Sequence, residues 1–385
     1  MYFFERAFRS FFIGASIFAS LSMLVWWLNY PVATAGFSGI PSMFWHAHEM
    51  VYGYALATVA GFLLTAVMNW TRMNSASGSS LALLFLLWLG ARVGFIIDMP
   101  ITVVAAFDMA FTVGLFLHFF YPIYKQKHWK QMGLASKFLL LIITNALFYL
   151  GAFDLVDNGM YLSVLAGLFL VLAINLTMMR RLIPFFTEKA LRLAEQNNPK
   201  WIDISAVVGF FALMIAALVE PIHWATSAIA FPLVVVHLIR FYRWYHPGIW
   251  KVALLWPLHV SYGFMIFGML LYAFVGMGML GESVAIHALA AGGIGLLCSS
   301  IMARIGLGHT NRNVFEPPRA LNIVFVILAL TAVIRVILPM LFPENYELWM
   351  MLSQWGWLLG FAILSVLYWK ILTLPSPVPD TGIRL

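Results

Sequence analysis

Trp45–Trp70 reads WHAHEMVYGYALATVAGFLLTAVMNW, and the rest of the chain is read from this stretch. After Tyr54 it is apolar and long enough to cross a bilayer as a helix, which takes roughly 20 such residues. Yet it opens with His46, His48 and Glu49 near the expected membrane boundary. Imidazoles and carboxylates are costly in hydrocarbon, so they face a bundle interior or a wet cavity and point to function. Imidazole is also a ready ligand for haem iron and copper. This helix is therefore read as one wall of a site.

Composition sets the class. Of 385 residues, 63% are hydrophobic and 10% charged, with a mean hydropathy of +0.92. A soluble domain of this size needs far less apolar surface, so the expectation is a polytopic all-α membrane protein. The net charge of +7 raises nucleic acid as a partner, but its placement argues against one. The basic residues sit in short loops between apolar runs, the pattern that orients helices in a membrane. A single cysteine, Cys298, excludes an internal disulfide and any cysteine-rich metal site.

Apolar runs predict twelve spans, at 10–30, 45–69, 80–97, 101–121, 137–154, 160–179, 202–219, 224–243, 252–275, 283–304, 320–342 and 348–370. Residues 10–30 read as a retained first helix, being longer than a usual signal core. With both termini cytoplasmic, 20 of the 22 basic residues fall on inner segments and none on an outer loop. The other two, Arg92 and Arg335, lie within spans. No loop could hold a soluble domain, so residues 1–385 are expected to form one transmembrane helical domain surrounded by membrane lipid.

Topology converts position into depth at about 1.5 Å per residue. His46, His48, Glu49 and Tyr52 fall in the outer quarter of the second span, and His287 about one turn into the tenth. Arg92, Asp108 and Arg335 each lie roughly 10 Å below the outer edge, with Asn145 at a similar level and His259 near the midplane. The awkward polar residues thus gather in one outer-half layer. An ion pair accounts for Arg92 and Asp108, at matching depth on adjacent helices, without further function. Arg335 has no evident acidic partner and would suit a bound anion. His46 and His48 are about 200° apart if both are helical. His46 then shares a face with Glu49 and Gly53, and His48 with Tyr52.

The remaining histidines read mainly as structural. His128 and His246 belong to basic loops, and His118, His223 and His237 come with no partner motif. His309, just after the tenth span, stands between a ligand and a loop residue.

Several segments together resemble the NnrS family of membrane proteins. They are His46-Ala-His48-Glu49-Met-Val-Tyr52-Gly53, Gly61-Phe-Leu-Leu-Thr-Ala, and Arg180-Arg-Leu-Ile-Pro184-Phe-Phe-Thr. Trp256-Pro-Leu-His259-x-x-Tyr262-Gly263 and His287-Ala-Leu-x-x-Gly292-Gly-Ile-Gly295 follow, then Arg304-x-x-Leu-Gly-His309-Thr-x-Arg312. The pieces run in order from the second span to the loop after the tenth. One departure is Asn311, where the family pattern has Gly. The resemblance implies twelve helices in a bacterial inner membrane, bound haem and copper, and a part in nitric oxide metabolism, denitrification or nitrosative-stress defence.

On that basis His259 is expected to be an axial ligand of haem b. His46, His48 and His287 are expected to hold copper, with His309 a further candidate. Glu49 or Tyr52 would orient a ligand or carry protons, and Arg335 and Arg92 would hold haem propionates. Nitric oxide can arrive through lipid. Two molecules, two electrons from a quinol or a periplasmic carrier, and two protons would give nitrous oxide and water. Two other classes stay open: a non-catalytic haem or nitric oxide binding protein, and a proton-coupled secondary transporter.

Overall fold

Each of the twelve predicted spans forms a helix in the computed structural model, which describes residues 2–30, 37–194 and 198–376. They are α1 (Ala7–Asn29), α2 (Ser42–Thr71), α3 (Gly78–Ile96), α4 (Ile101–Lys125), α5 (Trp129–Ala152) and α6 (Gly159–Leu191). The second half comprises α7 (Lys200–Val219), α8 (Trp224–Trp244), α9 (Trp256–Gly276), α10 (Glu282–Gly308), α11 (Ala320–Leu341) and α12 (Pro343–Thr373). No strand occurs among the described residues. Arg384, counted in the charge bias, lies outside them.

Outward positions are apolar, as lipid requires: Val208, Val219 and Val366 are exposed, while Arg92, Asp108 and Asn145 are buried. The polar residues are inside, and the solvent-like surface is hydrocarbon. Two helices depart from the sequence reading. α6 runs to Leu191, twelve residues beyond the expected end at 179, and carries Pro184 within it. At about 1.5 Å per residue its 33 residues span about 50 Å, well beyond the ~30 Å of hydrocarbon. Hydropathy marked where the apolar slab ends; the helix itself continues through the basic stretch beyond it.

α2 and α10 are each interrupted by a π-helical segment, Glu49–Ala55 in one and Ala288–Gly295 in the other. Each segment begins directly after a histidine, His48 or His287. A π segment is a rare, poorly packed form of helix that recurs at functional sites. Its wider turn re-phases every side chain that follows, so face relations counted at 100° per residue do not carry through it.

The chain divides into two compact units. The first holds residues 1–171, 302–313 and 361–385, and the second residues 172–301 and 314–360. In the first, Trp45, Phe95, Val104 and Phe148 form a hydrophobic core with Ile40 and Ala91. In the second, α8 and α9 form a close hairpin. A Cβ added at Gly276 would lie 2.7 Å from the Ser227 backbone nitrogen, so only glycine lets the two backbones meet there. Ser227 Oγ, set at that crossing, donates to the Ala273 carbonyl at 2.7 Å.

Asn311 follows the end of α10 with φ +53°. The Arg312 amide donates back to the Leu307 carbonyl at 3.0 Å, closing the helix end. Asparagine tolerates the left-handed conformation better than other side chains. Asn311 thus holds a left-handed conformation at the position where the resemblance led to an expectation of glycine.

The orientation implied by the basic loops has a direct test. Alkaline phosphatase inserted after Gly278 is expected to be active in a bacterial host, and inactive after Lys127. The opposite pattern would place the basic loops outside.

Candidate functional site

In the first unit, the polar residues of α2 to α5 converge on a fully buried ionic cluster. Arg92 of α3 is its centre: Nη1 lies 2.8 Å from Glu49 Oε1, and Nη2 pairs with Asp108 Oδ1 of α4. Gly53 makes room for it, since a Cβ there would come within 2.7 Å of Arg92 Nη1. Trp88 Nε1 donates to the Gly53 carbonyl at 2.9 Å, in the middle of the π segment. On α5, Asn145 Nδ2 donates to Asp108 Oδ2 at 2.8 Å and to Thr112 Oγ1 at 3.0 Å. Tyr149 Oη donates to Asp108 Oδ2 at 3.1 Å.

His48 closes the cluster, and its partners fix its protonation. Nδ1 faces Glu49 Oε1 at 3.0 Å, and Nε2 faces Asn145 Oδ1 at 3.0 Å with Asp108 Oδ2 at 3.4 Å. Asn145 cannot be flipped, because its amide nitrogen is needed by the Asp108 carboxylate. Both ring nitrogens therefore meet acceptors, and both are satisfied only as N–H donors, the imidazolium form. The charges then balance: Arg92 and His48 against Glu49 and Asp108. Neutrality is what lets four ionisable groups share a low-dielectric interior. Only Glu49 Oε2 is left without a hydrogen bond in this group of carboxylate oxygens.

This arrangement corrects several expectations. His48 offers no lone pair to copper, since both nitrogens donate. Glu49 meets its neighbour His48 and shares Arg92 with Gly53, while His48 packs on Tyr52, so the expected pairings of Glu49 with Gly53 and of His48 with Tyr52 are both seen. His46 stacks on Trp26 of α1, with ring centroids 4.5 Å apart and planes 18° apart. The prediction that His46 and His48 face different neighbours is met. Arg92 is taken up by two carboxylates rather than by a propionate. Tyr52 packs against the His48 ring, but its hydroxyl donates to the Ser163 carbonyl at 3.1 Å. It does not reach a carboxylate as a proton carrier would. His309 is exposed and packs on Phe8 at 5.6 Å between ring centroids.

In the second unit, His287 is also engaged at both nitrogens. Nδ1 donates to the Ser283 carbonyl at 2.7 Å, and Nε2 accepts from Arg335 Nη2 at 3.1 Å. Arg335 thus has an imidazole partner, which the search for an acidic one did not anticipate. Among the described residues, no three His, Cys, Asp or Glu side chains are grouped to hold a metal. This holds around His46 and His48 in the first unit and around His287 in the second, each taken by itself.

His259 is different. Its Nδ1 lies 3.1 Å from the Leu255 carbonyl and its Nε2 3.4 Å from the Trp244 carbonyl. A neutral imidazole can donate to only one of them and turns a lone pair on the other. Donation from Nδ1 to the carbonyl four residues back is the usual way to fix a ligating histidine, with Nε2 left for a metal. The ring lines a cavity of about 320 Å³ with Phe241, Tyr245, Trp250, Phe264 and Phe267. No charged side chain lines it, and at Gly263, one turn on, a Cβ would meet nothing within 4 Å. The cavity thus offers apolar walls, open space and one oriented imidazole, with no cation in its lining to meet a propionate. Arg335 is not among the lining residues.

His237 of α8 belongs beside this cavity and was read as structural. Its Nδ1 is 2.6 Å from Tyr262 Oη, and its buried Nε2 has no hydrogen-bond partner. Tyr262 in turn packs on Trp244 and Phe241. A depth comparison across the α8–α9 hairpin would have found it. His237 lies two turns before the end of α8, at the level of Tyr262 two turns into α9.

A family model described as NnrS protein matches residues 2–376, nearly the whole chain, and the chain belongs to that family. A search of curated proteins finds no match.

The ionic cluster generates a stability prediction. Arg92→Met strands Glu49 and Asp108 and is expected to cost about 3–5 kcal/mol. Thermal unfolding in detergent should show it as a large fall in Tm. Adding Asp108→Asn to Arg92→Met is expected to recover part of that loss; no recovery would contradict the charge balance.

Proposed function

We propose that this member of the NnrS family carries haem at His259 and acts on nitric oxide. Membership of the family links the chain to haem- and copper-associated membrane proteins of nitric oxide metabolism. The observation that carries the reading is the setting of His259: buried, held at Nδ1 by the Leu255 carbonyl, and set in an aromatic cavity. His259 Nε2 would hold the iron, and Gly263 would leave room for the ring. Haem in such a site supplies an iron that binds diatomic gases and exchanges electrons.

The chain's own residues do the rest. Phe241, Phe264 and Phe267 exclude water, so the site admits an apolar gas more readily than a polar substrate. Tyr262 Oη and His237 Nδ1 form a hydrogen-bonded pair behind Phe241 that holds this wall in place. Reduction of two nitric oxide molecules to nitrous oxide and water takes two protons and two electrons, the latter from a quinol or a periplasmic carrier. A copper site needs ligands other than His48 and His287 as they stand, or a rearrangement of both. Copper is therefore left out of the chemistry proposed for His259.

A second reading is favoured by one observation. The buried cluster of His48, Glu49, Arg92 and Asp108 is also what a proton-coupled transporter carries. In that case the protein binds no chromophore.

The reduced pyridine-haem spectrum of the purified protein, normalised to protein concentration, separates these readings. A stoichiometric b-type signal is expected, falling at least about tenfold in His259→Ala and persisting in His48→Gln. Full haem in His259→Ala with loss in His287→Ala would move the ligand to α10. No haem after expression with ample supply would favour transport. With haem present, anaerobic nitric oxide loss beyond one equivalent is expected; loss that stops at stoichiometry would reduce the role to binding.

A further inference from the structure

The Arg180-Arg181-Leu-Ile-Pro184-Phe185 segment has no part in the haem reading, yet it lines a cavity of about 780 Å³ in the second unit. The cavity lies at the end of α6 that overshoots the hydrocarbon, beside the start of α7. Four cations line it, Arg180, Arg181, Lys189 and Arg192, against two carboxylates, Glu188 and Asp203. One of the carboxylates is shared further. Asp203 pairs with Arg180 at 3.0 Å and with Arg240 of α8 at 2.8 Å. The carbonyl end of α6 draws some of the positive charge, worth about half a unit, and among the described lining residues cations outnumber carboxylates.

The cavity is also amphipathic. Phe185, 42% exposed, shares its wall with the cations, and Lys189 Nζ lies 6.0 Å from the Phe185 ring centroid. Guanidinium groups match phosphate oxygens in a bidentate way. An exposed aromatic beside them, at the end of an apolar span, suits a molecule with a tail rather than a free ion. Basic pockets between helices at the membrane boundary bind anionic lipid headgroups by this combination.

We propose that this cavity binds the phosphodiester headgroup of an anionic phospholipid, with its acyl chains directed along α6. The proposal is independent of the haem reading.

Native mass spectrometry of the purified protein with added short-chain phosphatidylglycerol tests it, with phosphatidylcholine as the zwitterionic comparison. Phosphatidylglycerol is expected to be retained in preference. Arg181→Gln, Lys189→Gln and Arg192→Gln together should weaken retention roughly 100-fold at low salt, about fivefold per cation. Lys125→Gln, Lys127→Gln and Lys130→Gln, the same charge change on the α4–α5 connection, should leave it unchanged. Glu188→Gln should strengthen it, a gain that misfolding cannot imitate. Equal retention by the wild type and the α6 triple variant would overturn the proposal. So would inorganic phosphate that displaces the lipid at millimolar concentration and binds as tightly alone, since the ligand would then be a soluble phosphate. Pyridine-haem content is the separate readout and should not change in any of these variants.

Discussion

Burying a charge in hydrocarbon is tolerable only when its opposite is buried with it, and the first unit is organised around that constraint. Arg92 stands between Glu49 and Asp108, and His48 supplies the second positive charge. Four helices are thereby committed to one register, because each contributes a group that none of the others can do without. Asn145 and Tyr149 saturate the Asp108 carboxylate, one turn apart on the same face of α5. A buried ion pair of this kind is weak evidence for added stability. Its firmer effect is on arrangement: any slip of α2 against α3 leaves a carboxylate without its cation.

The two π-helical segments give the histidines their different environments. In α2 the segment begins at Glu49, whose carboxylate meets His48. In α10 it begins after His287 and contains the glycines at 292, 293 and 295. Neither histidine keeps a free nitrogen as a result. His259, on an uninterrupted helix, is held at one nitrogen only by its own helix and turns the other toward a distant carbonyl. The difference between a structural imidazole and a ligand-like one lies in those second partners.

The helix count was legible because apolar length and loop charge are local properties of the sequence. So was the pairing of Arg92 with Asp108, since a short connection fixes relative depth on neighbouring helices. What could not be read was the π-helical form of Glu49–Ala55 and Ala288–Gly295, which apolar length and loop charge do not report. Arg335 was sought an acidic partner because charge invites charge, whereas the structure offers the His287 lone pair. His237 was passed over because its partner, Tyr262, lies on the next helix, where neither residue forms a motif alone. The end of α6 was misplaced because hydropathy reports the slab and not the helix.

The order of the cluster along the chain bears on how the protein is made. His48 and Glu49 emerge as neighbours, and Arg92 follows 43 residues after Glu49. At about 5–20 residues per second during synthesis, that delay is a few seconds. Glu49 lies two turns from the start of α2 and can wait among the lipid headgroups. Arg92 has no such delay, since Asp108 comes 16 residues behind it. The order of the chain thus brings each charge of the cluster within reach of an opposite one as the helices are made in turn.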